Sequence, residues 1–121
     1  MSKVTIITAT TGSAYLTKNI LSVQSQTYKD VQHLVVVDGE EHVMKVAEQL
    51  DMLNQPNIDL LILPYPTGTE QYNGHRIYGA ATYLAKGDYI CFLDEDNWVD
   101  PDHVKSLMYN IKDGGFACAL R

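Results

Sequence analysis

Short apolar runs rich in β-branched residues alternate along this chain with segments whose apolar residues recur at helical spacing. Four of these runs predict buried strands, at residues 4–9, 34–37, 58–63 and 89–93. The helical spacing predicts four helices with one buried face, around residues 16–23, 43–50, 77–84 and 104–111. Because right-handed crossovers join parallel strands, this alternation predicts an α/β fold: a mostly parallel sheet flanked by helices on both sides, in three layers.

The size and charge of the chain limit the kinds of partner it can take. With 121 residues, 45% of them hydrophobic, we expect a single domain over residues 1–121. The formal net charge is −6, from 15 acidic and 9 basic residues, so no nucleic-acid partner is expected. An anionic ligand would have to be held locally, by backbone N–H groups, an arginine or a bound metal ion.

Several common signals are missing from the sequence. It has no basic-then-apolar leader and no apolar stretch of the roughly 20 residues that a membrane helix needs. We therefore expect a cytoplasmic protein, with peripheral membrane contact left to segments of a longer form. There is no G-x-x-x-x-G-K-[ST] or G-x-G-x-x-G loop, which disfavours two common nucleotide-binding classes. The four histidines show no metal-ligand spacing and are expected at the surface, namely His33, His42, His75 and His103.

Polar residues follow three of the four predicted strands, at the point where each strand ends. The first strand ends in residues 8–12, the second in 38–39 and the fourth in 94–97. In an open parallel sheet, ligands bind outside the carboxyl ends of the strands. The sequence therefore predicts a binding site where these three strand ends meet.

The strongest local signal is the apolar strand at 90–93, which stops at three consecutive acids. In an extended chain, Asp94 and Asp96 would face the same way, with Glu95 pointing elsewhere or toward a ligand hydroxyl. Such a D-x-D pair suits Mg²⁺ or Mn²⁺, which takes one or two carboxylates and completes its shell with diphosphate oxygens and water. The alternative is a solvated acidic turn, and the spacing alone does not decide between the two.

Two further residues have both a ligand-binding and a structural interpretation. Asp38 would accept hydrogen bonds from a base or ribose, or simply form a turn with Gly39. Arg76, at the start of a predicted helix, would clamp a phosphate or a base edge, or face solvent. Taken one at a time, both residues favour the structural interpretation.

Together, these segments resemble family 2 glycosyltransferases of the GT-A fold. Residues 4–10 are similar to the family's opening strand, and residues 36–39 to its "VVDDGS" strand end. The first helix and turn, with Tyr15-Leu16 and residues 22–30, resemble "YL…SV.SQTY.D". The most specific part is residues 79–96, which resembles "G…A…A.GDYI.FLD.DD". The resemblance covers nearly the whole chain.

The resemblance implies a Rossmann-like GT-A nucleotide-binding half and assigns its site residues. Nucleotide contacts fall on a set from the strand ends and the third helix: Thr8, Ala9, Thr10, Asp38, Arg76, Asp94 and Glu95. Metal contacts fall on Asp96 and Asp94, with Mg²⁺ or Mn²⁺ as the implied ion. The chain departs from the family pattern in having one Asp at the second strand end, where two are usual, and Asn97 in place of a frequent third acid.

The implied function is transfer of a sugar from a nucleoside diphosphate sugar, expected to be UDP-linked, to a sugar, lipid or protein acceptor that the sequence does not identify. The family's catalytic base and acceptor-binding loops lie C-terminal to the acids, so we assign no catalytic residue and expect a portion truncated at its C-terminus. The alternative from another class is a non-catalytic nucleotide-binding module that lacks the base.

Two other enzyme and signalling classes fit less well, and the chain's end carries its own prediction. A nucleotidyltransferase would need a Gly-rich basic opening loop, which residues 10–13 do not form, and a phospho-acceptor receiver domain would need a late Lys that is not identifiable.

Gly114 and Gly115, followed by apolar residues 116–120, predict a turn into a further strand. An unpaired strand edge invites pairing with a second chain, so we expect self-association.

Overall fold

The computed structural model describes residues 2–54, 56–69, 74–111 and 115. All four predicted strands form, as β1 (Val4–Thr10), β2 (Val31–Val37), β3 (Asp59–Ile62) and β4 (Tyr89–Phe92). All four predicted helices form too, as α1 (Leu16–Gln24), α2 (Val43–Met52), α3 (His75–Ala81) and α4 (His103–Ile111). The expected strand at 116–120, and the self-association assigned to it, lie outside the described residues. Within the described ranges, no helix has the length and apolarity to cross a membrane.

The four strands form one parallel sheet in the order β3-β2-β1-β4. From β1 the chain moves outward through β2 to β3, and then returns to the other side of β1 for β4. Strand order therefore reverses between β1 and β4, and this is where an open parallel sheet forms its ligand crevice. The expected α/β fold is confirmed.

Alternate strand residues supply the two faces of the sheet, and helices cover both. One face packs against α1, α2 and α4, through core residues that include Leu16 and Ile20, Val46, and Val104. The other face packs against α3, where Ile77 and Ala81 contact Ile7, Leu34 and Val36. Nearly every residue of β1 and β2 is buried, which requires a helix layer on each side of the sheet and so gives three layers.

The second strand begins three residues earlier than predicted, because its polar start is buried with matching partners. Thr5 Oγ1 donates to Gln32 Oε1 at 2.6 Å, and His33 Nε2 lies 2.9 Å from Thr8 Oγ1. His33 is thus a core residue, and the expectation of a surface histidine was wrong. Burial lowers the pKa of His33 to about 4, so the imidazole is neutral near pH 7.

Candidate functional site

The carboxyl ends of β1, β2 and β4 open onto one cleft of about 590 Å³. Its walls include residues 9–11 at the end of β1, Asp38 after β2, residues 94–96 after β4, and the start of α3. The cleft lies beside the point where strand order reverses. The predicted convergence of three strand ends is therefore found in the structure.

All of the predicted site residues except Thr8 and Arg76 line this cleft: Ala9, Thr10, Asp38, Asp94, Glu95 and Asp96. Thr8 is fully buried, and its hydroxyl is hydrogen-bonded to His33 on the face of the sheet that α1, α2 and α4 cover. The side chain of Thr8 therefore belongs to the core and does not line the cleft. Position along β1 alone did not reveal this, because alternate strand residues point to opposite faces of the sheet and the sequence does not say which face packs more tightly.

Arg76 also lies away from the cleft. It is exposed on α3 and lines an apolar groove together with Leu61, Leu63 and Ile77. The cleft-lining residues of α3 are His75 and Tyr78, three positions apart and so on one face of the helix. The next position after His75 is rotated away from that face, so Arg76 does not line the cleft that is expected to hold the nucleotide.

The three acids form a turn rather than a continued strand. The Asn97 N–H donates to the Asp94 carbonyl at 3.0 Å, closing a turn over residues 94–97, which we call the acid turn. The expectation of an extended D-x-D pair was wrong, since β4 ends at Phe92. All three carboxylates consequently line the cleft, including that of Glu95.

The acid turn is tied to the neighbouring strand end. Glu95 Oε2 accepts a hydrogen bond of 2.8 Å from the Thr11 N–H, joining the end of β4 to the loop after β1. Asp94 and Asp96 are exposed, whereas Glu95 is half-buried. Glu95 therefore shapes the cleft, while the other two carboxylates offer the more accessible oxygens.

Tyr78 is a site residue that the sequence interpretation missed. Its hydroxyl donates to Asp94 Oδ1 at 2.9 Å, and its ring packs on Phe92 with centroids 5.2 Å apart. Burial, reinforced by the hydrogen bond to Asp94, raises the pKa of Tyr78, so the phenol keeps its proton. The sequence carries one signal for Tyr78. It is an aromatic residue with a hydroxyl group, in the first turn of a predicted helix that follows a long loop.

Asp38 is 6% exposed and is already hydrogen-bonded within the protein. Its Oδ1 accepts from the Thr67 N–H at 2.6 Å and from Thr67 Oγ1 at 2.9 Å, and its Oδ2 accepts from the Gly68 N–H at 2.9 Å. The carboxylate thus holds the loop between β3 and α3 against the cleft. Gly39, at φ 115°, lets the chain turn directly after it.

The donor set of the cleft fits one kind of metal ion. Among the residues the structure describes, no three His, Cys, Asp or Glu side chains are arranged to hold a metal. Asp94 and Asp96 instead offer two carboxylates on one exposed turn. This set fits a hard divalent cation that takes its other ligands from a bound diphosphate and water, and it does not fit an all-protein cage.

The chain is similar to known glycosyltransferases. It matches the profile of glycosyl transferase family 2 over residues 4–121. Glycosyltransferase GlyA of Streptococcus pneumoniae serotype 4 is 29% identical over 99 residues, which cover 80% of this chain and 13% of that protein.

Two solved structures share the fold. S. aureus TarS 1-349 has a TM-score of 0.73 and 20% identity, covering 92% of this chain and 32% of that one. The mannosyltransferase PcManGT from Pyrobaculum calidifontis, in complex with GDP-Man and Mn²⁺, has a TM-score of 0.73 and 19% identity, covering 99% of this chain and 36% of that one. TarS 1-349 has also been solved with UDP and with UDP-GlcNAc.

The chain spans well under half the length of each of these relatives. The family profile nevertheless covers almost every residue of the chain, from the first strand to the last residue. The chain therefore belongs to glycosyl transferase family 2.

Proposed function

We propose that this chain is the nucleotide-sugar-binding portion of a glycosyltransferase, with the donor held in the cleft at the carboxyl ends of β1, β2 and β4. The observation that carries the proposal is the acid turn, which sets three carboxylates on the wall of a cleft at the reversal of strand order. Relatives solved with UDP, UDP-GlcNAc and GDP-Man support this class of ligand. We favour UDP as the nucleotide and keep GDP as the alternative.

A diphosphate needs a cation to enter such a cleft. Three carboxylates on one turn repel a phosphate, and the net charge of −6 gives no compensating field. We propose that Asp96 and Asp94 hold Mg²⁺ or Mn²⁺, since hard cations bind carboxylate and phosphate oxygens together. Such an ion offsets the charge that develops on a leaving diphosphate. The PcManGT structure with Mn²⁺ supports this choice.

The order of the strands suggests how the donor is oriented. Asp38 follows β2 and the acid turn follows β4, with β1 between them. Adjacent strands lie about 4.8 Å apart, so the two ends of the cleft are separated by about 10 Å. We therefore place the base and ribose near Asp38 and the diphosphate near Asp94 and Asp96. In this arrangement Asp38 acts through the loop it holds, at residues 67–68, as well as through its own edge of the cleft.

We propose that the whole protein transfers the sugar to a sugar, lipid or protein acceptor. An inverting reaction needs a base that removes a proton from the acceptor hydroxyl, and we assign that role to none of the described residues. The alternative remains a nucleotide-binding module without transfer activity. Donor hydrolysis or transfer in the presence of metal would distinguish the enzyme from the module.

Calorimetric titration with UDP, GDP and ADP, each with and without Mn²⁺, tests the proposed function. We expect UDP to bind most tightly and to lose most of its affinity when the metal is removed. The exposed acid Asp51, on α2 outside the cleft, supplies a matched control, because Asp51→Asn removes one charge without touching the acid turn. Binding that is independent of metal, or equal for all three nucleotides, would contradict the proposal.

A further inference from the structure

A buried amide side chain lies directly beneath the acid turn. Asn19, in the first half of α1, is 0% exposed. Its Nδ2 donates to the carbonyl of Asp94 at 2.9 Å and to the carbonyl of Asn97 at 3.1 Å. These carbonyls belong to the first and last residues of the acid turn, so one side chain fixes both ends of it.

The chemistry of these contacts explains why the residue is an asparagine. Both partners are carbonyl oxygens, which accept hydrogen bonds, so the amide nitrogen of Asn19 must face them. A carboxylate there would face the carbonyls with no proton to donate, and an apolar side chain would leave both oxygens without this donor. Asparagine is also a poorer helix former than leucine or alanine. Helix propensity therefore does not explain an asparagine among the apolar residues of α1, whereas its hydrogen bonds to the acid turn do.

A second feature supports the same conclusion. The Oδ1 atom of Asn19 is buried and has no hydrogen-bond partner among the described residues. A buried polar atom without a partner costs stability. The fold therefore retains an unfavourable oxygen in order to keep a nitrogen that donates twice to the acid turn.

We propose that Asn19 is a positioning residue that holds the acid turn in the geometry in which Asp94 and Asp96 bind a cation. Three adjacent carboxylates repel one another, and an unsupported turn would relax by opening and spreading them. The two hydrogen bonds from Asn19 fix the backbone, while Tyr78 and the Thr11 N–H hold the side chains of Asp94 and Glu95. This inference rests on the proposed function of the cleft.

The structure offers a matched control in Gln26, another buried amide, located just after α1. Its Nε2 donates to the Asp100 carbonyl at 2.7 Å and to the Ser22 carbonyl at 3.0 Å, and its Oε1 accepts from the Val104 N–H at 3.0 Å. Gln26 therefore holds the segment that leads into α4, beyond the acid turn. Removing it disrupts the same kind of contact without disturbing residues 94–97 directly.

The test compares Asn19→Leu with Gln26→Leu in the intact protein, measuring unfolding in urea and UDP affinity with and without Mn²⁺. Both substitutions should lower stability. Residues that orient metal ligands typically contribute about 10–100-fold to metal affinity, so Asn19→Leu should weaken Mn²⁺-dependent UDP binding by at least about tenfold. UDP affinity without metal should not change, and Gln26→Leu should leave both affinities near those of the wild type.

The outcomes separate this inference from the proposed function. If the wild-type protein shows no metal-dependent UDP binding, the proposed function fails. If the wild type binds and Asn19→Leu binds equally well, or Gln26→Leu loses as much affinity, the positioning role is wrong. Should Asn19→Leu fail to fold, Asn19→Ser retains one donor; an intermediate affinity supports the role, and wild-type affinity contradicts it.

Discussion

Polar side chains occur in two regions of this sheet, its interior and its carboxyl edge, and they are satisfied differently in each. In the interior, Thr8 is paired with His33 and Thr5 with Gln32, each buried between strands and helices. At the edge, Asp94 and Asp96 are exposed beside a cleft, and their charges are close to each other. Each interior pair is joined by a hydrogen bond inside the protein, although His33 Nδ1 has no hydrogen-bond partner among the described residues. The edge instead gathers like charges that oppose folding.

The difference distinguishes side chains bonded to each other, such as Thr8 and His33, from acids exposed at the cleft, such as Asp94. In the interior, Thr8 and His33 are hydrogen-bonded to each other and do not line the cleft. Three acids on one turn are stabilised only partly by Tyr78 and the Thr11 N–H. Substitutions in the interior should therefore change stability, and substitutions at the edge should change binding.

The largest effect on nucleotide affinity is expected at the edge of the sheet. Asp96→Asn replaces a charged oxygen with an amide, which holds a hard cation much less well. We expect Mn²⁺-dependent UDP affinity to fall on the order of a hundredfold, about 2.7 kcal/mol, with little change in unfolding. Calorimetry on this variant and on Asp51→Asn checks the prediction, and equal losses in the two variants would refute it.

In the interior, the largest effect is expected on stability, at His33. Its folded-state pKa is lowered to about 4, below the unfolded value of about 6.5. The unfolded chain then binds more protons between these pH values, so stability is fully present above pH 6.5 and is lost as the pH falls toward 4, by an amount on the order of 3 kcal/mol.

An NMR titration of the His33 imidazole measures this pKa directly. Urea unfolding of the wild type and of His33→Gln, at pH 7 and pH 4.5, measures its effect on stability. The variant should lose less stability than the wild type over this range, because glutamine does not titrate. An imidazole that titrates near 6.5 would show that His33 is not buried as described.

A smaller effect is expected for Tyr78→Phe, which removes the hydroxyl that donates to Asp94 and keeps the ring against Phe92. A single hydrogen bond contributes about 1 kcal/mol, so metal-dependent UDP affinity should fall roughly fivefold. The same titration measures it, with Tyr83→Phe, an exposed tyrosine outside the cleft, as the control. An unchanged affinity would mean that Asp94 needs no support from Tyr78.

The smallest effect is expected for Arg76→Ala. Because Arg76 faces the groove between α3 and β3 rather than the cleft, UDP affinity should change by less than about twofold. The titration used for Tyr78→Phe measures this as well. A loss of tenfold or more would restore the original expectation that this arginine reaches the nucleotide.

The sequence predicted the elements that depend on local pattern and missed those that depend on contacts between distant residues. The apolar runs of β1 and β2 predicted the sheet. The polar strand ends predicted the edge of the sheet at which Asp38 and Asp94 line one cleft. The turn at 94–97 was missed, because side chains alternate between the two faces only within the strand, and β4 ends at Phe92. The face of the sheet to which Thr8 points depends on which residues of β1 alternate toward each helix layer. The direction in which Arg76 points depends on the residue at which α3 begins.

The supporting contacts could not be predicted for a related physical reason. Asn19 meets Asp94 and Asn97 across more than seventy residues of chain, and Tyr78 meets Asp94 from a separate helix. These pairings exist only once α1, α3 and β4 are packed around β1. A family resemblance reveals recurring motifs such as the acids, but not the residues that this particular chain uses to hold them.

The most direct test of the central claim is the coupling between cation and nucleotide in the intact protein. Mn²⁺ affinity would be measured with and without UDP, and UDP affinity with and without Mn²⁺. If Asp94 and Asp96 share one ion with the diphosphate, each ligand must strengthen the other by the same factor, and that factor should be lost in Asp96→Asn. Independent binding of Mn²⁺ and UDP in the wild type would contradict the account.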